Sequence, residues 1–370
     1  MRRRLGTLAT LVPACILSAL AQPEGDIENW VLGMGGTVER SSSGDLLKID
    51  LSRSWVTDAD LRRLAGATTL VSLELAQTHV SDSALEIVAS LPSLRELDLF
   101  FCEHITDAGA SLLRGAPRLE RLNVRGTKIS DSGVKFLTEL QNLKVLDVGI
   151  TEISDASVGL LEALPNLETL AIGGNKIGES GIASLRSLRR LRHLDLSGAQ
   201  VTDSGIWAVT VTDLNLDEIA GLRGLESLNL AAPSHEYVMA ISSGVPRLRG
   251  AIRVTDLGAK QLAALTKLRK LNLSRSSLTS EGIRNLHGLD NLEELVLSHV
   301  SSLDNRAGNA IAQLPSLRIV DVSFTSFGDV GVAALEEHSR LQRLVAVGTG
   351  LSEAAAAGFV AANPSRDVIR

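Results

Sequence analysis

Apolar and polar positions along this chain recur every 24 or 25 residues. The phrase is clearest where Leu119, Leu122, Val124, Ile129, Val134, Leu137 and Leu140 are apolar, Thr127 sits between the halves, and Asp131 and Gly133 open the second half. Aligning the first Leu gives twelve copies, beginning at Leu46, Leu70, Leu94, Leu119, Leu143, Leu167, Leu191, Leu225, Leu268, Leu292, Leu317 and Leu341. A fixed period of this size marks a solenoid. Two steps are longer, 34 residues from Leu191 and 43 from Leu225, so an irregular zone over 207–253 interrupts the register.

Within each copy, Leu-x-x-Leu-x-Leu puts apolar residues at alternate positions four and six, the period of a short strand with one buried face. A helical Leu-x-x-Leu spacing follows. Asp58, Asp82, Asp107, Asp131, Asp155 and Asp203 stand just before it, where a short carboxylate can accept bonds from the amides of a first helical turn. The class is therefore α/β. Helices are wider than the strand spacing of about 4.8 Å, so the stack must curve into a horseshoe, with a parallel sheet on the concave side and short helices on the convex side. Gly109, Gly133, Gly181, Gly205 and Gly282 are read as turn residues. Thr78, Thr127, Thr151, Asn175, Thr325 and Thr349 form a column expected to bond backbone groups at the bend, and Cys102 occupies the same column as a buried turn residue.

These phrases resemble the leucine-rich repeat family over 46–352. The dialect Ile/Val-Thr/Ser-Asp-x-Gly before Leu-x-x-Leu is similar to the ribonuclease-inhibitor-like and cysteine-containing type, whose extra residue and Cys are carried by the third copy, Leu97 to Asp107 with Cys102. The chain looks like exported bacterial repeat proteins and like the repeat part of F-box proteins. That resemblance implies a binding scaffold and leaves the partner unnamed. It also carries an alternative, a substrate-recognition subunit of a ubiquitin-ligase-type complex, set against the short stretch of about 24 residues ahead of the repeats, too few for an F-box domain.

Arg2, Arg3 and Arg4 precede an apolar run from Leu5 to Leu20, and Ala19-Leu20-Ala21 fits a signal-peptidase site, so 1–21 reads as a secretory signal. A membrane anchor is the rival, but the run is short for a span and holds Pro13. Export places the protein in the periplasm or outside the cell. Residues 22–45 read as an N-terminal cap of a short helix and a strand, and 353–370 as a C-terminal cap whose helix stops at Asn363-Pro364, with 365–370 a loose tail. After signal removal the balance is 34 basic against 43 acidic residues, a net charge of −9, and aromatic residues make up 3%. Such a surface argues against nucleic acid and against anionic membrane. Cys102 is then left without a partner for an intramolecular disulfide.

The chemistry of catalysis is thin. The seven histidines share no column, His235-Glu236 is one adjacent acid-base pair, and Gly173-Gly174 is a repeat turn, so neither enzyme, cofactor nor metal is expected. Binding surface remains. Positions three, five, seven and eight after each first Leu face the concave side, and position five reads Asp50, Glu74, Asp98, Asn123, Asp147, Ala171, Asp195 onward, an acidic stripe. Leu-Asp-Leu is also a common filling of a solvated strand, on which reading Asp147 tolerates Ala. Asp98, Phe100, Phe101, Arg121, Arg125, Asp147 and Ile150 lie on neighbouring strands and form the candidate contact patch for a protein partner with a basic surface. Tyr237, on the long loop of the irregular zone, is a second candidate.

Overall fold

In the computed structural model the described residues are 24–202, 205–233, 248–249 and 251–370. The leader expected over 1–21, and His235, Glu236 and Tyr237, lie outside them. Glu24–Gly33 is a helix and Thr37–Arg40 a strand, antiparallel to Leu46–Asp50. From there to Asp367–Ile369, fourteen strands form one sheet in chain order, and every pair after the first is parallel. The fold is a leucine-rich repeat solenoid. Each regular copy gives three strand residues with the middle one buried, so that Leu97, Leu122, Leu146 and Leu170 pair in sequence across the sheet. The core behind them is almost wholly aliphatic and continuous from Ile27 to Phe359.

The two long steps do not open the sheet. Leu194 pairs with Leu228 and Leu228 with Leu271, so the described extra residues lie outside this sheet. There they build two small sheets: Gln200–Thr202 folds back on Gly205–Trp207, which also pairs with Leu248–Arg249, and Val211–Thr212 pairs with Ile252–Arg253. The departure from the repeat begins at Gln200, ahead of the longer spacing seen in the sequence.

Asp203 lies outside the described residues, and the described aspartates of this set do a different job from the expected one. Ser130, one residue earlier, caps the helix Asp131–Leu137 by accepting the Ser132 N–H at 3.2 Å, and Thr106, Ser154, Thr255 and Thr279 act alike. The carboxylate reaches instead into the next copy. Asp107 accepts the Ser130 N–H at 2.7 Å and its hydroxyl at 2.6 Å, and the same pair of bonds joins Asp82 to Thr106, Asp131 to Ser154 and Asp256 to Thr279. This ladder crosses the irregular zone, from Asp213 to Thr255.

It also explains the glycines. Gly109, Gly133, Gly181 and Gly282 sit inside helices, and a Cβ on any of them would run into an Asp oxygen of the preceding copy. Close approach demands Gly here, and no turn is involved.

The small polar column behaves as expected. Thr127 Oγ1 donates to Val124 O at 2.7 Å, Thr151 to Val148 O at 2.8 Å, and Asn175 donates to both Val148 O and Ile172 O. Cys102 is buried in that column with its thiol on Leu75 O at 3.1 Å, and burial pushes its pKa up, with the Thr78 bonds opposing. At the C-terminus the structure corrects the loose tail. Asp367–Ile369 is the last strand of the sheet, pinned by buried Arg366, whose guanidinium donates to Leu341 O, Phe359 O and His338 O.

Candidate interaction surface

On most strands, positions three and five project from the concave face while position four between them is buried; Ser72 is buried at position three. The acidic column is continuous by register: Asp50 lies beside Glu74, Glu74 beside Asp98, Asp98 beside Asn123, and Asn123 beside Asp147. A shallow depression of about 420 Å³ opens here, lined by Glu74, Glu96, Asp98, Arg121, Val145 and Asp147 among others. Lys48 pairs with Glu74 at 2.7 Å, whereas Arg121 meets Glu96 at 3.8 Å and half exposed, too loose to screen Asp98.

These carboxylates also shape the backbone. Asp98 Oδ1 accepts the Phe100 N–H and Asp147 Oδ1 the Gly149 N–H, each at 2.8 Å, and Asn123, Asn229 and Asn272 do the same for residues two further on. Asp or Asn fills most of the column because its side chain accepts a backbone N–H of this turn, while Ala171, Val296 and Val345 do without that bond. Asp147 is therefore no simple solvated filler, as its open-face position had suggested.

Burial pushes the Asp98 carboxyl above its usual range; the Phe100 N–H opposes this, and the Glu74 and Asp50 charges add to it. Asp147 is raised by burial and by Asp195, against the Gly149 N–H and the Arg125 guanidinium 3.7 Å away. At the end of the row Asp50 is held below the usual range: burial is the largest influence and raises it, but the bonds from Ser52 outweigh it, helped by Lys48.

The aromatic and aliphatic members of the patch sit at its edge. Position eight takes a left-handed backbone in nearly every copy, with φ of +52° at Phe101 and +51° at Ile150, so these side chains leave the sheet face and point along the rim. Large residues and glycines alternate there from Phe101 to Gly174 and again at Phe324 and Gly348. The Phe101 ring lies over Gly126, Ile150 over Gly174 and Phe324 over Gly348, and a Cβ on Gly126 would stand 2.8 Å from the Phe101 ring. Phe100 meets Phe101 edge-on at 4.7 Å between centroids.

Phe101 and Ile150 line a separate hollow of about 410 Å³ with Glu103, Lys128 and Glu152, closed on one side by Ala199, Gln200 and Val201 of the first rim hairpin. The structure thus divides the expected patch. Asp98, Arg121 and Asp147 face the inner sheet, Phe101 and Ile150 face the rim hollow, and Arg125 lies between, reaching Asp147 and, within 3.3 Å of its Cβ site, Gly198.

One cluster was not legible from the sequence. Trp55, 80% exposed, stacks on His79 at 5.5 Å between centroids, and His79 meets His104 at 6.4 Å, so two histidines do share a column. The extra residue of the third copy shifts His104 by one place and hides the match. Among the described residues no group of three or more metal-binding side chains comes together, and no helix is long and apolar enough to cross a membrane.

A strand-turn-helix repeat with a side-chain ladder between copies and an open inner sheet defines the class, leucine-rich repeat solenoids. Leucine-rich repeat family models match residues 141–201 and, for a second model, 90–113, 117–137, 264–286 and 313–335, which supports that family. No curated protein matches the sequence. Among solved structures, an internalin (inlF) from Listeria monocytogenes is similar over 98% of each chain, with 19% identity and a TM-score of 0.55. TLR13 in complex with ssRNA13 is similar over 88% of this chain and 52% of that one, with 20% identity and a TM-score of 0.50. The yeast Rad7 and Elc1 complex aligns over 96% of this chain and 91% of that one at 17% identity, with a TM-score of 0.49. At these identities the likeness is one of fold.

Proposed function

We propose that this chain is an exported, noncatalytic scaffold that binds a protein partner on the N-terminal half of its concave face, through a basic surface on that partner. The observation that carries this reading is the row of carboxylates Asp50, Glu74 and Asp98, in which Lys48 pairs with Glu74 and no cation meets Asp98 among the described residues, continued at Asp147 next to the Phe101 and Ile150 rim. Burial first, and then the Glu74 and Asp50 charges, hold Asp98 above its usual pKa, and a cation docked beside it favours the ionised form. Phe100 and Phe101 add the apolar contact that holds a complex once formed.

TLR13 is solved with ssRNA13, but this inner row is acidic and repels phosphate, which supports a protein partner for this chain. The Arg2–Arg4 leader pattern supports export. The test is affinity capture from an extracytoplasmic fraction, followed by binding kinetics for Asp98→Asn with Asp147→Asn and for Phe100→Ala with Phe101→Ala. The first pair is expected to slow association and the second to speed dissociation. Kinetics unchanged in both pairs would place the partner elsewhere.

A further inference from the structure

The opposite edge, where the chain enters the strands, carries a second surface of the other sign. Along most of that edge the charges alternate and pair between copies: Glu120 binds Arg95 and Lys144, and Arg269 binds Glu293. Around the entries to three adjacent strands, His193–Asp195, Ser227–Asn229 and Lys270–Asn272, such pairs persist but further cations stand without a carboxylate partner among the described residues. Arg186, Arg189, Arg190, Arg192, Arg223 and Lys267 gather there, all exposed, in a chain of net charge −6. Arg186 pairs with Glu218 and Arg192 with Glu226, and Glu162 and Glu168 stand among the cations that line the hollows described next. Arg190 and Arg223 bind only neutral oxygens, Asn166 Oδ1 at 2.9 Å and Ala264 O at 2.6 Å, while Arg189 and Lys267 make no side-chain bond to any described residue.

A missing side chain makes room between them. In the place just before the first Leu, Asn142, Asn166 and Asn291 each donate to a carbonyl of the preceding copy, at 2.8, 3.0 and 2.8 Å. Gly224 holds that place in the eighth copy and leaves it unfilled. Two hollows of about 840 and 400 Å³ meet at Gly224 and share Arg189. Guanidinium groups with free N–H pairs in a concave setting fit carboxylates in a fork.

We propose that this edge binds a short acidic peptide segment of a partner protein, independently of the concave face. The three strands span two spacings of about 4.8 Å, so the cations match roughly three to five extended residues. A long sulfated or phosphorylated polymer fits less well, because it would run onto the paired edge at Glu293 and Glu120.

The experiment is fluorescence anisotropy of labelled pentaglutamate on the full chain at low and physiological salt. Saturable, salt-weakened binding is expected, about tenfold weaker after Arg189→Glu with Lys267→Glu. The milder Arg189→Ala with Lys267→Ala weakens it less. Gly224→Asn, which fills the hollow and removes no charge, weakens it too. Asp98→Asn with Asp147→Asn leaves it unchanged, so the result stands or falls apart from the concave-face reading. Absence of saturable binding, equal binding by the charge-reversed and parent chains, or tighter binding of a heparin oligosaccharide than of pentaglutamate overturns the proposal.

Discussion

Asp107 and Gly133 are fitted to each other across neighbouring repeats: the carboxylate that holds Ser130 occupies the space a Cβ on Gly133 would need. The relation recurs as Asp82 with Gly109, Asp155 with Gly181 and Asp256 with Gly282. Each copy thereby fastens the start of the next helix and fixes how close the next copy can come.

Gly133→Ala should destabilise the fold by about 1 to 3 kcal/mol, because the new methyl overpacks against Asp107 and against Ile129 Cγ2 at 2.8 Å. Asp107→Ala should cost a similar amount by leaving the Ser130 N–H without its acceptor. Since removing the carboxylate also clears the methyl's place, the double variant should cost less than the sum of the two. Additive urea midpoints would show that the two sites do not share this contact.

Leu146→Ala opens a cavity under the sheet and should cost about 2 to 5 kcal/mol. Next to it, Asp147→Ala orphans the Gly149 N–H and should cost about 1 to 2 kcal/mol, whereas Asp147→Asn keeps an acceptor, as Asn123 does in the same column. Thermal melts that rank Asp147→Asn below Asp147→Ala would refute the turn role of this side chain.

The raised carboxyls give a sign for pH. A group whose folded pKa lies above its unfolded value binds its proton more tightly in the folded state, so ionising Asp98 and Asp147 lowers stability as pH rises through that window. Asp131 runs the other way. Although burial, its largest influence, raises it, the Ser154 and Ser157 bonds hold it low, and its contribution is lost as pH falls through its folded value. Asp98→Asn with Asp147→Asn should therefore gain most over the parent chain near neutral pH, the gain shrinking toward about pH 4. A gain that grows on acidification would contradict the burial of these groups.

Association with a basic partner should weaken with salt, since exposed charges are screened over about 8 Å at physiological ionic strength. It should also slow on mild acidification, as Asp98 and Asp147 take up protons before ordinary carboxylates do. Stopped-flow rates across salt and pH measure both. Salt-independent association would remove charge from the recognition step.

The repeat period alone determined the fold, because alternate Leu positions and a helical Leu-x-x-Leu can bury their faces in one way only, copy on copy. The same periodicity gave the phase of each strand, and so the acidic inner row from Asp50 to Asp147. What it could not supply were contacts between copies. Asp131 reads as a helix cap when only its neighbours in sequence are considered, yet its partner Ser154 is 23 residues away. Phe101 and Ile150 read as members of the inner face, but their left-handed backbone turns them onto the rim, where the folded-back strand Gln200–Thr202 completes a hollow. His79 and His104 met only once the extra residue of the third copy was absorbed, and Asp367–Ile369 became a strand because the last copy left an edge to pair with. A repeating sequence specifies what each copy needs locally; which side chains share space is decided by curvature, by the chain's departures from its own period, and by the neighbours that stacking brings together.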